Sequence, residues 1–154
     1  MALKTGLALS QTTPVVNELA KLLADTYFLY LKTQNFHWNV TSTQFHSLHA
    51  LFQSQYEELA EAIDDIAERI RALGHPAPAS FKQFSKLAEI EEVTGVPTDA
   101  QMIAQLLADH ELLCRNLRKS VEIAQKAGDE GTADSLIARL LAHEKTAWML
   151  RSSL

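Results

Sequence analysis

Two histidines, His37 and His49, and two carboxylates one helical turn apart, Asp64 and Glu68, have the residue types of a metal site. Imidazole and carboxylate together suit Fe(II), and also Zn or Mn. Their spacing poses a geometrical problem. His49 and Asp64 fall 15 residues apart in one long stretch of helical apolar periodicity, which at helical rise separates them by roughly 22 Å. Those residues also turn the helix by about 60° net, so both ends face a similar side. Neither one helix nor a simple hairpin gathers all four residues. Two copies of the chain do so if these helices meet antiparallel across a two-fold axis, and an isologous dimer then holds two equivalent sites. A plainer reading stays open at this stage. Asp64 and Glu68 could form a solvated face with Arg69 and Arg71, with His49 a hydrogen-bonded interfacial histidine.

The elements that must position these residues are helical. Thr13 is expected as an N-cap with Pro14 at the first helical position, leaving residues 1–12 as a flexible tail. Val15, Leu19, Leu22, Leu23, Tyr27 and Tyr30 carry the periodicity on towards Val40. A second helix starts near Ser42 or Thr43 and stops at Leu73, before Gly74 and Pro76. A short amphipathic helix over Phe81–Leu87 interrupts the proline-bearing crossover. Thr98 with Gln101 reads as the capping box of the next long helix, which ends before Gly128. The last helix begins between Asp129 and Thr132 and runs to about Arg151. An all-α fold follows, a four-helix bundle with a short extra helix in the long second-to-third crossover. That connectivity matches a ferritin-like bundle, with other four-helix arrangements as the alternative.

At 154 residues the chain is expected to form one domain over its whole length. Hydrophobic residues at 47% and charged ones at 21% are ordinary for a globular protein. No apolar run approaches the roughly 20 residues of a membrane span, and no charged-then-apolar leader is recognisable. A lone cysteine, Cys114, forms no internal disulfide and is expected in the core, so a cytoplasmic location is expected. The net charge of −5 and the absence of a basic arm argue against a dedicated nucleic-acid binder.

Bundles that hold a di-iron site internally carry Glu-x-x-His motifs on facing helices. Three residues before His37, His49, His110 and His143 stand Gln34, His46, Leu107 and Leu140. No internal di-iron site is expected.

Longer motifs narrow the reading. The runs His37-Trp38-Asn39-Val40 and Leu48-His49, with Phe45, Phe52 and Tyr56, and the run Asp64-Asp65-Ile66-Ala67-Glu68-Arg69-Ile70 resemble the Dps family, the DNA-binding proteins from starved cells. The run Glu144 to Arg151 is similar to that family's last helix, so the resemblance spans nearly the whole chain. It implies a hollow homo-dodecamer with ferroxidase sites at two-fold dimer interfaces. It further implies oxidation of Fe(II), preferentially by hydrogen peroxide, and storage of a ferric mineral inside, which protects DNA. By position, His37 and His49 would be ligands from one subunit, and Asp64 and Glu68 from its partner. Trp38 would lie near the site, with interface packing as its other role.

The chain departs from the family pattern in three places. Gln53 stands where the family usually has Asp or Glu, one turn after the second histidine. Its amide oxygen is a weaker, uncharged donor, which favours Zn or leaves a second metal loosely held. His46 is the candidate compensating ligand. Ala50, Gln53 and Ser54 replace acids associated with mineral growth, leaving Glu57, Glu58 and Glu61 as the nearest carboxylates. Ser42 replaces a frequent glycine. Asp129, Glu130 and Asp134 correspond to the family's acidic three-fold pores, although acids there also offset a helix dipole. His75, His110 and His143 receive no role. Two alternatives remain: a DNA-compacting structural protein, against which the acidic charge counts, and a shell that binds Zn with weak turnover.

Overall fold

Capping chemistry sets the helix ends in the computed structural model, which describes residues 4–154. The elements are α1 (Leu9–Asn39), α2 (Phe45–Ala72), α3 (Phe81–Leu87), α4 (Asp99–Lys126) and α5 (Glu130–Arg151). Thr98 accepts the Gln101 N–H while the Gln101 side chain accepts the Thr98 N–H, which is the expected capping box. Asp129 caps α5 by accepting the Thr132 N–H at 3.0 Å. Helices α2 and α4 end alike. Gly74 (φ +88°) and Gly128 (φ +74°) take the left-handed backbone, and the residues that follow return N–H bonds to Ile70 and Ala124.

The start of α1 corrects the expected flexible tail over residues 1–12. The helix already begins at Leu9, and residues 1–3 lie outside the described part. Gln11 Oε1 accepts the Ala8 N–H at 2.9 Å, satisfying one of the helix-start donors. Thr12 is buried, with its hydroxyl 2.9 Å from His75 Nε2, and Gln11 also donates to the Ala127 carbonyl. Thr13 is therefore not the cap: its hydroxyl donates to the Leu9 carbonyl at 2.7 Å inside the helix. Pro14 sits in the second turn instead of the first. At the next junction, Ser42 Oγ accepts the Gln44 N–H at 3.0 Å, extending the turn so that α2 begins at Phe45.

Helix α1 lies against α2, and α4 against α5, each pair antiparallel. The two pairs join chiefly through α1 and α4, registered by Lys32 with Asp109 and Glu18 with Ser120. Phe36, Phe52, Leu59, Ile70, Leu106, Leu113 and Leu117 fill the shared interior; each such side chain contributes about 1.5–3 kcal/mol by burial. The crossover is pinned to α1. Asp25 accepts the Glu89 and Ile90 N–H groups at 2.7 and 2.9 Å, and Phe84 of α3 packs on Tyr27. Burial raises the Asp25 carboxyl above its usual range, and those two donors hold the rise back. No helix is long and apolar enough to cross a membrane, and no strand occurs among the described residues.

Candidate metal centre

His37 lies in the last turn of α1 and His49 in the second turn of α2, on either side of the short connection. Their rings stack with centroids 3.7 Å apart. Each ring also bonds to the other residue's backbone. His37 Nδ1 donates to the His49 carbonyl at 2.7 Å, and His49 Nδ1 donates to the His37 carbonyl at 2.8 Å. A carbonyl only accepts, so both protons must sit on Nδ1. Both Nε2 lone pairs are thereby left for a metal ion. The His37 carbonyl is one of the unpaired acceptors at the end of α1, so the bond also satisfies the helix terminus. Phe45 stacks on the outer face of His49 at 5.0 Å, and Tyr56 meets His37 edge-on at 5.2 Å.

The two carboxylates of the expected ligand set lie elsewhere. Asp64 and Glu68 are exposed on α2, and among the described residues no group of three or more His, Cys, Asp or Glu side chains converges as a metal site. The chain thus presents a histidine pair and a carboxylate pair some 22 Å apart along α2. Gln53 is exposed, and its Nε2 donates to Glu57 Oε1 at 2.8 Å. His46 is exposed as well, its ring against Phe45 and not within the histidine stack. Glu58 pairs with Arg139, and Glu61 is exposed. Trp38 projects into solvent with 63% of its surface exposed, one residue beyond His37.

Asp129 is only 3% exposed, and its carboxylate is committed within the subunit to Thr132 and to Arg69 Nη2 at 2.8 Å. Glu130 and Asp134 are exposed and remain the pore candidates. Three residues without an assigned role gain structural ones. His75 ties the α2–α3 turn to Thr12, while His110 and His143 form a buried pair between α4 and α5. Cys114 is half-buried at the edge of the core. In the sequence Tyr56 stands as part of the Dps-like motif, without a role at the site. Its position seven residues after His49, two turns along the same face, is the signal that brings it to the histidines.

Comparison with known proteins identifies the fold. The ferritin-like domain profile matches residues 16–154. DNA protection during starvation protein 2 of Bacillus anthracis is 40% identical over 140 residues, covering 91% of this chain and 96% of its own. The chain belongs to the Dps family of ferritin-like proteins. A low temperature-induced protein of Nostoc sp. is 47% identical over 152 residues, covering 96% of this chain and 83% of its own. The crystal structure of a Dps protein of Vibrio cholerae superposes with a TM-score of 0.93 at 33% identity, covering 99% of this chain and 96% of its own. It is described as a member of a broad superfamily of ferritin-like diiron-carboxylate proteins. The Dps fold thus accounts for the four long helices and the crossover helix α3.

Proposed function

We propose that this Dps chain is a ferroxidase subunit, with Fe(II) as substrate and hydrogen peroxide as oxidant, and that twelve copies enclose a stored ferric mineral. The observation that carries this reading is the reciprocal bonding of His37 and His49, which frees both Nε2 atoms while no carboxylate joins them in a group among the described residues. Across a two-fold axis the imidazole pair would meet Asp64 and Glu68 of the partner subunit. Two neutral imidazoles and two carboxylates balance the charge of one ferrous ion. As that ion loses an electron, the carboxylates stabilise the higher charge formed. A second ferrous ion at the site would meet Gln53 in place of an anion, and would be held less strongly.

Consumption of Fe(II) and peroxide together protects DNA without contact with it. The net charge of −5 on each chain favours this over compaction of DNA by the shell. Anaerobic loading with Fe(II), followed by peroxide, should give a ferric absorbance rise that His49→Ala and Asp64→Ala each lower by at least about 10-fold. Unchanged rates in both variants would sink the ferroxidase reading. A mobility shift at physiological salt would overturn the reading that DNA is not bound directly.

A further inference from the structure

All three tyrosines of the chain, Tyr27, Tyr30 and Tyr56, stand in one row that begins at His37. Tyr56 meets the His37 ring with centroids 5.2 Å apart, Tyr30 meets Tyr56 at 6.1 Å, and Tyr27 meets Tyr30 at 6.0 Å. All are edge-on contacts within the range of direct ring packing. At its far end Tyr27 lines a cleft of about 280 Å³ with Ile63 and Ala67, the residues immediately before Asp64 and Glu68. The row therefore runs from the histidine pair to the stretch of α2 that carries Asp64 and Glu68. Gln34 Nε2 donates to the Tyr30 hydroxyl at 3.0 Å, which leaves that phenol's own proton free to be given up.

We propose that Tyr56, Tyr30 and Tyr27 are an electron relay between the imidazole and carboxylate half-sites of a subunit, and hence between the two iron sites of a dimer. The proposal rests on the ferroxidase reading and deepens it. Reduction of one hydrogen peroxide to two waters takes two electrons, whereas a site with Gln53 holds one ferrous ion firmly and supplies one. A one-electron reduction would release hydroxyl radical. Tyr56, against the His37 ligand, supplies the missing electron. One ferrous ion and the Tyr56 phenol each lose an electron, the O–O bond breaks, and the phenol proton with one proton from solvent completes two waters, leaving a ferric ion and a phenoxyl radical. In net terms, ferrous ion, phenol, peroxide and one proton become ferric ion, phenoxyl and two waters. Tyr30 and then Tyr27 each pass an electron and a proton towards the vacancy. A ferrous ion at the site containing this subunit's Asp64 and Glu68 reduces the Tyr27 phenoxyl, which regains its proton from water. The sum is two ferrous ions, one peroxide and two protons giving two ferric ions and two waters.

Freeze-quench electron paramagnetic resonance of the assembled protein tests this, after anaerobic loading with about one Fe(II) per site and addition of peroxide. A transient phenoxyl signal is expected, narrowed when the protein carries ring-deuterated tyrosine, which separates it from an indole radical on Trp38. Tyr56→Phe keeps the ring packing and removes the phenol. It should abolish the signal and raise spin-trapped hydroxyl radical several-fold. Tyr30→Phe should strand the radical on Tyr56 and slow its decay by an order of magnitude. Circular dichroism and shell size check that both variants fold and assemble. A normal ferric absorbance rise without a tyrosine radical, or Tyr56→Phe matching wild type in both radical measures, overturns the relay and leaves the ferroxidase reading standing. Absence of any ferric rise in wild type overturns both.

Discussion

His143 donates its Nδ1 proton to Nδ1 of His110, 2.9 Å away in the bundle interior. The direction follows from Arg139, whose Nη2 donates to His143 Nε2 at 3.1 Å and so fixes that nitrogen as an acceptor. His110 therefore carries its own proton on Nε2, which is buried without a partner among the described residues. Burial keeps both rings neutral, pushing His110 down to about 3 and His143 well below its ordinary value.

A pH dependence of stability follows. Unfolded, both histidines take up protons near 6.5, so the unfolded state binds more protons than the folded one below that pH. Stability then falls with pH from about 6.5 towards about 3, by about 2 kcal/mol per histidine at about pH 5. Urea midpoints at about pH 7.5 and about pH 5 read this directly, and His110→Leu should remove about half of the difference. A slope unchanged by that substitution would refute the assignment.

Lys32 and Asp109 are paired at 2.7 Å with side chains only 7% and 14% exposed. Burial already raises the Asp109 carboxyl, and Lys32 opposes the rise. Lys32→Met should cost about 3–5 kcal/mol by leaving the carboxylate uncompensated, whereas Lys32→Met with Asp109→Leu should recover most of it. The single variant's deficit should shrink at acid pH, because protonation of the carboxyl removes the buried charge. Chemical denaturation of both variants checks the pair, and equal losses in single and double variants would contradict it.

Subunit sharing of the iron site can be tested by complementation. His49→Ala and Asp64→Ala shells, each impaired, are dissociated, mixed and reassembled. Half of the random dimers then contain one of each, and in these one of two sites is intact, restoring about a quarter of wild-type Fe(II) oxidation. No recovery in the mixed shells would refute a site shared between subunits.

Gln53→Asp should strengthen binding of a second ferrous ion by restoring an anion beside His49. Before iron is added, the new carboxylate faces Glu57, the present acceptor of the Gln53 amide. Like charges one turn apart cost about 0.2–0.5 kcal/mol. Anaerobic calorimetry should therefore show Fe(II) binding rise from about one to about two per site, with slightly lower stability of the iron-free protein. Unchanged stoichiometry would show that this position does not limit the site.

Features encoded by neighbouring residues were legible in the sequence. The Thr98–Gln101 box, the bounds of α3 and the glycine stop after Leu73 all depend on partners within a few positions. The start of α1 was not, because Gln11 and Thr12 are held by Ala127 and His75, far along the chain. Asp129 illustrates the same limit. It reads as a free acid at a helix start, yet Arg69 arrives from α2 and buries it. His37 and His49 were recognisable as ligand types, but the acceptors that orient them are main-chain carbonyls, which every residue possesses and no side-chain pattern announces.

Those carbonyl bonds have a consequence for how the protein is made. The clasp between His37 and His49 lies wholly within one chain, formed by α1 and α2 alone. Each subunit would come to its partner with one half of the receptor already set and the other half already displayed on α2. In the proposed shell, the histidine pair would then need neither a metal ion nor a partner to hold its orientation.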